Sequence, residues 1–233
     1  MESVQIDARA LLAFFDEKAQ KQENQDANAV NALAGEDLGL GLGLDYLRRT
    51  GAHANVVPQP CTTGRRNGPR LDGWIAVEKA GERLLYQIEV KNWTAHSYQG
   101  KSLSVDAKPS VVDGFARQRW QDFWLPEKQL YWGADKVLVR MAKPLGYADW
   151  PVVPLVIFWF AIARDGAAHP LTIQSRDVPT ESEFPSIHLF SLSLHLRQML
   201  PAAPFLHIEA PRIARRMRRL SRIFPSVVPA SVQ

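Results

Sequence analysis

The chain of 233 residues predicts an α/β domain. Three observations carry that prediction. Segments with helical apolar spacing alternate with segments patterned as strands. Residues 71–92 hold two strand-like runs joined by Lys79-Ala80-Gly81-Glu82, a hairpin signal. Leu155-Val156-Ile157-Phe158-Trp159-Phe160 is apolar on both alternations, as a buried central strand should be.

Residues 7–22 predict a helix, because Ala10, Leu11, Phe14, Phe15 and Ala19 recur at helical spacing. The polar stretch 20–28 predicts a loop or a frayed helix end. A second helix is predicted from about Ala29 to Arg49, with Gly51 as its stop. Its Leu-Gly alternation over 38–44 also suits a strand, since each glycine costs a helix about 1 kcal/mol relative to Ala. Tyr46 and Leu47 continue a helical stripe and favour the helix. His53–Val57 is patterned as a short strand, ended by Pro58 and Pro60. The loop Thr62–Arg70 holds Arg65, Arg66 and Arg70 among glycine and asparagine. It is either a solvated connection or a phosphate-gripping loop, since guanidinium and backbone N–H groups both suit phosphate.

The hairpin strands are Leu71–Val77 and Leu84–Asn92. Residues 94–108 follow as an exposed loop. Val111–Leu125 predicts a helix with Val112, Phe115, Trp120 and Phe123-Trp124 inward and Arg117, Gln118, Arg119 and Gln121 outward. Pro126 ends it. Lys136–Arg140, Leu155–Ala163 and His188–Leu192 predict further strands, 144–154 a structured loop, and 193–200 a short helix. Pro211–Phe224 predicts an amphipathic helix with Pro211 in its first turn. Arg212, Arg215, Arg216, Arg219 and Arg222 share one side, and Ile213, Met217, Leu220 and Phe224 share the other. Residues 225–233 read as a loose tail. The expected organisation is one domain over 1–208, then the basic helix and tail over 209–233.

Charge sharpens the picture. The net charge is +4, yet residues 211–233 contain six arginines and no acid, leaving 22 basic and 24 acidic side chains elsewhere, a net of −2. A basic amphipathic helix can meet nucleic acid, an anionic membrane or a partner protein. Docking of its apolar stripe on the domain, combined with nucleic-acid contact through the arginines, is the favoured expectation. The longest apolar run, Val152–Ala163, is too short to span a bilayer and contains Pro154. The acidic N-terminal segment is not patterned as a signal peptide. Cys61 stands alone, so no intrachain disulfide forms, in keeping with a cytoplasmic, reducing setting. The six histidines show no metal-ligand spacing, and no Gly-Lys-Ser/Thr loop for nucleotide phosphates is present.

The densest chemistry lies on the hairpin. Side chains at i and i+2 of a strand share a face, so Glu89 and Lys91 point together and Ile88 and Val90 point oppositely. If the strands pair, Asp72 lies beside Glu89. Two carboxylates that close repel unless a proton or cation intervenes, and hard oxygen ligands suit Mg²⁺.

This order resembles the PD-(D/E)xK nuclease superfamily, with wording around Ile88-Glu89-Val90-Lys91-Asn92-Trp93 similar to its nuclease-related domain branch. Asp72 matches the first acid, Glu89 the second and Lys91 the lysine. Glu36, in Gly35-Glu36-Asp37-Leu38, matches a helix glutamate found in many members. Pro69 stands three residues before Asp72 rather than one, and Gln118 is followed by Asp122 where some branches carry Gln-x-x-x-Tyr. The resemblance covers roughly residues 30 to 140. It implies a restriction-endonuclease-like core, a central mixed β-sheet flanked by helices.

It further implies a metal-dependent nuclease, a phosphodiester hydrolase most readily acting on DNA rather than RNA. Asp72, Glu89, the Val90 carbonyl and Glu36 would hold Mg²⁺, with Mn²⁺ substituting. Lys91 would position or activate the nucleophile. Arg65, Arg66, Arg70, Arg117, Gln118 and Arg212, Arg215, Arg216 and Arg219 are the candidate nucleic-acid contacts. For Arg117 and Gln118 a solvated helix face is the stronger expectation. A homodimer would bring two such sites to two strands. The alternative is a nuclease fold that binds nucleic acid or a partner without cutting.

Overall fold

The computed structural model describes residues 3–16, 34–91, 103–123, 125, 134–167, 173–178 and 182–223. The expectations for 17–33, Asn92, 94–102, Trp124, Pro126 and 224–233 lie outside them.

Among the described residues the central sheet has six strands: β2 (His53–Val57), β5 (Gly73–Lys79), β6 (Glu82–Lys91), β7 (Val152–Phe158), β8 (Gln174–Asp177) and β9 (Ser186–Ser191). Their order is β2-β5-β6-β7-β9-β8. The β5–β6 hairpin is antiparallel, while β6–β7 and β7–β9 are parallel, so the sheet is mixed. Two small ribbons accompany it. β1 (Ser3–Asp7) pairs with β10 (Phe205–Glu209), and β3 (Cys61–Thr62) pairs with β4 (Arg70–Leu71). The helices are α1 (Ala8–Asp16), α2 (Glu36–Arg49), α3 (Pro109–Asp122), α4 (Ala134–Val137), α5 (Leu192–Met199) and α6 (Pro211–Ile223). Among the described residues no helix is long and apolar enough to cross a membrane.

Asp7 starts α1 by accepting a hydrogen bond from the Ala10 N–H at 2.9 Å, which satisfies one of the orphan donors of the first turn. Ser191 does the same for α5 through the Leu194 N–H at 3.2 Å.

The Leu-Gly run is helical. Its glycines are explained by what lies on either side of α2. A methyl group on Gly43 would sit 3.1 Å from Ile157 of β7, and one on Gly41 would sit 2.7 Å from the Glu209 carbonyl oxygen of β10. The helix is wedged between the central sheet and the β1–β10 ribbon, and the glycines permit both approaches. Leu38, Leu40, Leu42 and Leu44 are all buried around it. Gly41→Ala should therefore destabilise, although Ala is the better helix former by about 1 kcal/mol. A backbone carbonyl cannot rotate away, and overpacking costs about 1–3 kcal/mol. The expected Tm falls by roughly 2–8 °C. Gly114 lies in α3 with nothing within 4 Å of an added methyl, so Gly114→Ala should raise Tm. Thermal unfolding of the two variants checks the opposite signs.

Several expectations are corrected. Lys136–Arg140 is not a strand: α4 ends at Val137 and the chain then bends. The buried Gln87 side chain takes the carbonyls of Val137 and Val139 at 2.8 and 3.0 Å and the N–H of Met141 at 3.3 Å, so these groups bond a side chain instead of a ladder. The strand expected over Leu155–Ala163 is β7, which stops at Phe158, and residues 159–163 leave the sheet while staying buried. Leu103, placed in an exposed loop, is 4% exposed. Arg119, assigned to the outer face of its helix, is buried in line with Val112, Ala116 and Phe123, its guanidinium 4.4 Å from the Phe115 ring centroid. The strands β1, β3, β8 and β10 were not expected, and the strand expected over Leu71–Val77 is split at Asp72 into β4 and β5.

Candidate functional site

Asp72 stands where the chain breaks between β4 and β5. The hairpin register pairs Gly73 with Ile88, which places Asp72 opposite Glu89. Two bonds pin it there. Its N–H donates to the Ile88 carbonyl at 2.9 Å, and its Oδ2 accepts from the Val90 N–H at 2.6 Å. The two acids and Lys91 thus converge at the end of the hairpin.

Glu89 is 3% exposed, so its charge needs partners. Lys91 Nζ donates to Oε1 at 2.7 Å. A second ammonium, Lys136, donates to both oxygens at 3.1 Å. Sequence reasoning missed Lys136, because its position depends on Gln87 tying down the segment after α4. The signal that could have found it is Gln87 itself, an amide on the otherwise apolar stretch of β6.

Asp72 is left less well compensated. Burial, then the Glu89 charge, push its carboxyl up from 3.8 to about 6, and Glu36 adds to the rise. The Val90 N–H and Lys136 pull it back only in part. Glu36 therefore lies within electrostatic reach of Asp72. Its own carboxylate is exposed and accepts from Arg212 Nη1 at 3.1 Å. Asp37 beside it is buried and accepts from the Ile213 N–H at 2.9 Å, so the start of α2 anchors the first turn of α6.

A cleft of about 530 Å³ opens beside these groups. Asp37, Asp72, Arg70, Arg212 and Arg215 all line it, so α6 forms part of its wall. Glu89 and Lys91 do not line it. Arg216 and Arg219 lie with Arg212 and Arg215 around a depression on α6 itself. Arg65 lines a separate depression with Arg140 and Glu183, and Arg66 is exposed. Arg117 is paired with Asp113 at 2.9 Å, and Gln118 is exposed; neither lines the cleft.

Among the described residues no three His, Cys, Asp or Glu side chains converge to hold a metal ion. The available set is Asp72 and Glu89; the Val90 carbonyl follows Glu89 in sequence, and the Glu36 charge reaches Asp72. That set still suits Mg²⁺, which is commonly held by one or two carboxylates and retains several waters. Burial first, and the Glu89 charge second, disfavour the Asp72 carboxylate, and a positive charge beside it would offset both.

The remaining reactive groups have structural partners. Cys61 is buried, and burial pushes its thiol up, away from the nucleophilic thiolate. His195 is buried with its Nε2 3.1 Å from Asp45 Oδ2. His188 Nδ1 lies 3.1 Å from the Tyr86 hydroxyl, and burial lowers its pKa.

Comparison of the chain with protein-family models, with curated proteins and with solved structures found no match.

Proposed function

We propose that the chain is a metal-dependent nuclease that hydrolyses phosphodiester bonds, with DNA the favoured substrate, and that its mixed sheet is a restriction-endonuclease-like core. The observation that carries the proposal is the half-buried Asp72 opposite the buried Glu89 on one hairpin, with the Lys91 ammonium 2.7 Å from Glu89. A purely structural pair of acids would gain nothing from such proximity.

Asp72 and Glu89 would hold Mg²⁺, with Val90 contributing a carbonyl and Glu36 acting directly or through water. The bound ion would supply a water of lowered pKa and neutralise charge on the phosphate oxygens. Lys91 would place a positive charge against the developing negative charge of the transition state. Lys136 balances Glu89, so that the site tolerates its buried carboxylate. Arg70, Arg212 and Arg215 line the approach to Asp72 and suit phosphate groups.

A second proposal is a nuclease fold that binds without cutting. It is favoured by the two ammonium groups that already occupy both Glu89 oxygens. Incubation with supercoiled plasmid, linear duplex, single-stranded DNA and RNA separates the two. Nicking with Mg²⁺ or Mn²⁺, absent with chelator and weak with Ca²⁺, is the expected result. Binding to the same substrates with no cleavage under any divalent ion would select the non-cutting module.

A further inference from the structure

We infer that the arginine face of α6 is a docking surface for the phosphodiester backbone of a nucleic acid, and that it leads a strand toward Asp72. The destination rests on the nuclease proposal; the grip rests on α6 itself.

Arg212, Arg215, Arg216 and Arg219 stand at i, i+3, i+4 and i+7, which gathers them on one face of a helix. All four are exposed and together line a surface depression of about 300 Å³. Like charges three and four apart repel, and no acid lies within α6 to relieve them. Glu36 partners Arg212 at its first turn; no ion pair is found for Arg215, Arg216 or Arg219 among the described residues. At 1.5 Å per residue the row spans about 10 Å. Its first two members also line the cleft on which Asp72 opens, so the positive face runs on to Asp72.

A membrane is the weaker partner. An interfacial helix must bury its apolar stripe in lipid. Here that stripe is already engaged: Ala214 is buried, Ile213 packs against the core, and Met217 and Leu220 are half-buried. The Asp37 bond to the Ile213 N–H and packing against α2 and β1 hold the helix down. Its charged face is presented, with Ile223 at the helix end the one exposed large apolar side chain described there, and continuity with the Asp72 cleft favours a polyphosphate strand over a carboxylate surface.

The test is fluorescence anisotropy of labelled duplex DNA, single-stranded DNA and RNA with the whole chain in chelator, so that no cleavage intervenes. Titrations run from about 50 to 200 mM salt, where phosphate binding shows its dependence. The triple variant R215A/R216A/R219A should bind tenfold or more weakly. Its log K against log salt slope should be shallower by about 2–3, close to 0.9 for each duplex phosphate no longer neutralised. The charge-keeping R215K/R216K/R219K should retain most of that slope, and single Arg216→Ala and Arg219→Ala variants serve if the triple variant loses its helix. The nucleic acid on which the slope changes identifies the strand class. An affinity within twofold of wild type at an unchanged slope would overturn the inference. So would binding to anionic phosphatidylglycerol vesicles with none to any nucleic acid. The plasmid cleavage assay, run beside the titrations, keeps the two proposals apart. A slope loss without any cleavage by wild type would leave the grip standing and remove the nuclease, whereas cleavage with an unchanged slope would remove the grip alone.

Discussion

Lys91→Ala is expected to cut plasmid DNA at least about 10²–10³-fold more slowly than wild type, the usual cost of deleting one preorganised charge-stabilising group. The chain should still fold. Breaking a buried ion pair is severe when it leaves a bare charge, about 3–5 kcal/mol. Here Glu89 keeps Lys136 at 3.1 Å on both oxygens, so a smaller loss, about 1–2 kcal/mol, is expected in thermal unfolding. Lys136→Ala is the informative companion. It removes the other ammonium from the same carboxylate, leaves Lys91 at 2.7 Å, and should cost similar stability while retaining far more cleavage. Rates and Tm measured on the three proteins, purified identically, separate a transition-state role from charge balance. Equal cleavage by wild type and Lys91→Ala would remove Lys91 from the mechanism.

The parts of this arrangement visible in the sequence are those set by local periodicity. A two-residue repeat and a short turn fix which side chains of a hairpin face each other, so Asp72 beside Glu89 was an expectation conditional on the two strands pairing. The observed register of Gly73 with Ile88 agrees with it. The Leu-Gly run was legible as a helix through Tyr46 and Leu47 and through the pattern of the family it resembles; its glycines suited a close approach to a sheet or a ligand, and which elements approach, β10 on one side and β7 on the other, is tertiary.

Pairings distant in sequence left weaker traces. β1 and β10 each alternate apolar and polar residues, Val4 and Ile6 against Leu206 and Ile208. They are short, and most of the chain separates them, so no turn signal links them. Lys136-Val137-Leu138-Val139-Arg140 has strand-like composition, yet the buried Gln87 amide claims its carbonyls. That single side-chain choice converts an expected strand into the mount for Lys136. Arg119 illustrates the converse: its long stem lets a charged residue occupy a buried helical position against Phe115.

Asp72→Asn should make the metal-free protein more stable at pH 8, the reverse of what loss of a partnered buried acid does. The folded carboxyl is raised to about 6 from the ordinary 3.8, chiefly by burial and then by Glu89. Between those two values the folded state holds the extra proton, so stability falls as pH rises. Above about pH 6 the wild type carries the full penalty, about 3 kcal/mol at 1.36 kcal/mol per pH unit. Asparagine removes the charge and keeps an oxygen to accept the Val90 N–H. The expected gain at pH 8 is about 1–3 kcal/mol, a Tm rise of roughly 3–10 °C. It should shrink below about pH 6 and vanish below about pH 4, where the wild-type carboxyl is protonated in both states. Mg²⁺ should raise the wild-type Tm at pH 8, because a ligand that binds only the folded state stabilises it. It should do little for Asp72→Asn, which lacks the charge that attracts it. A variant no more stable than wild type at pH 8, or one whose gain persists undiminished near pH 4, would show that Asp72 is not a strained carboxylate. The cation-binding role would then lose its physical basis, whatever the plasmid assay gave. The measurement needs no substrate, so it tests the electrostatics of the site independently of its activity.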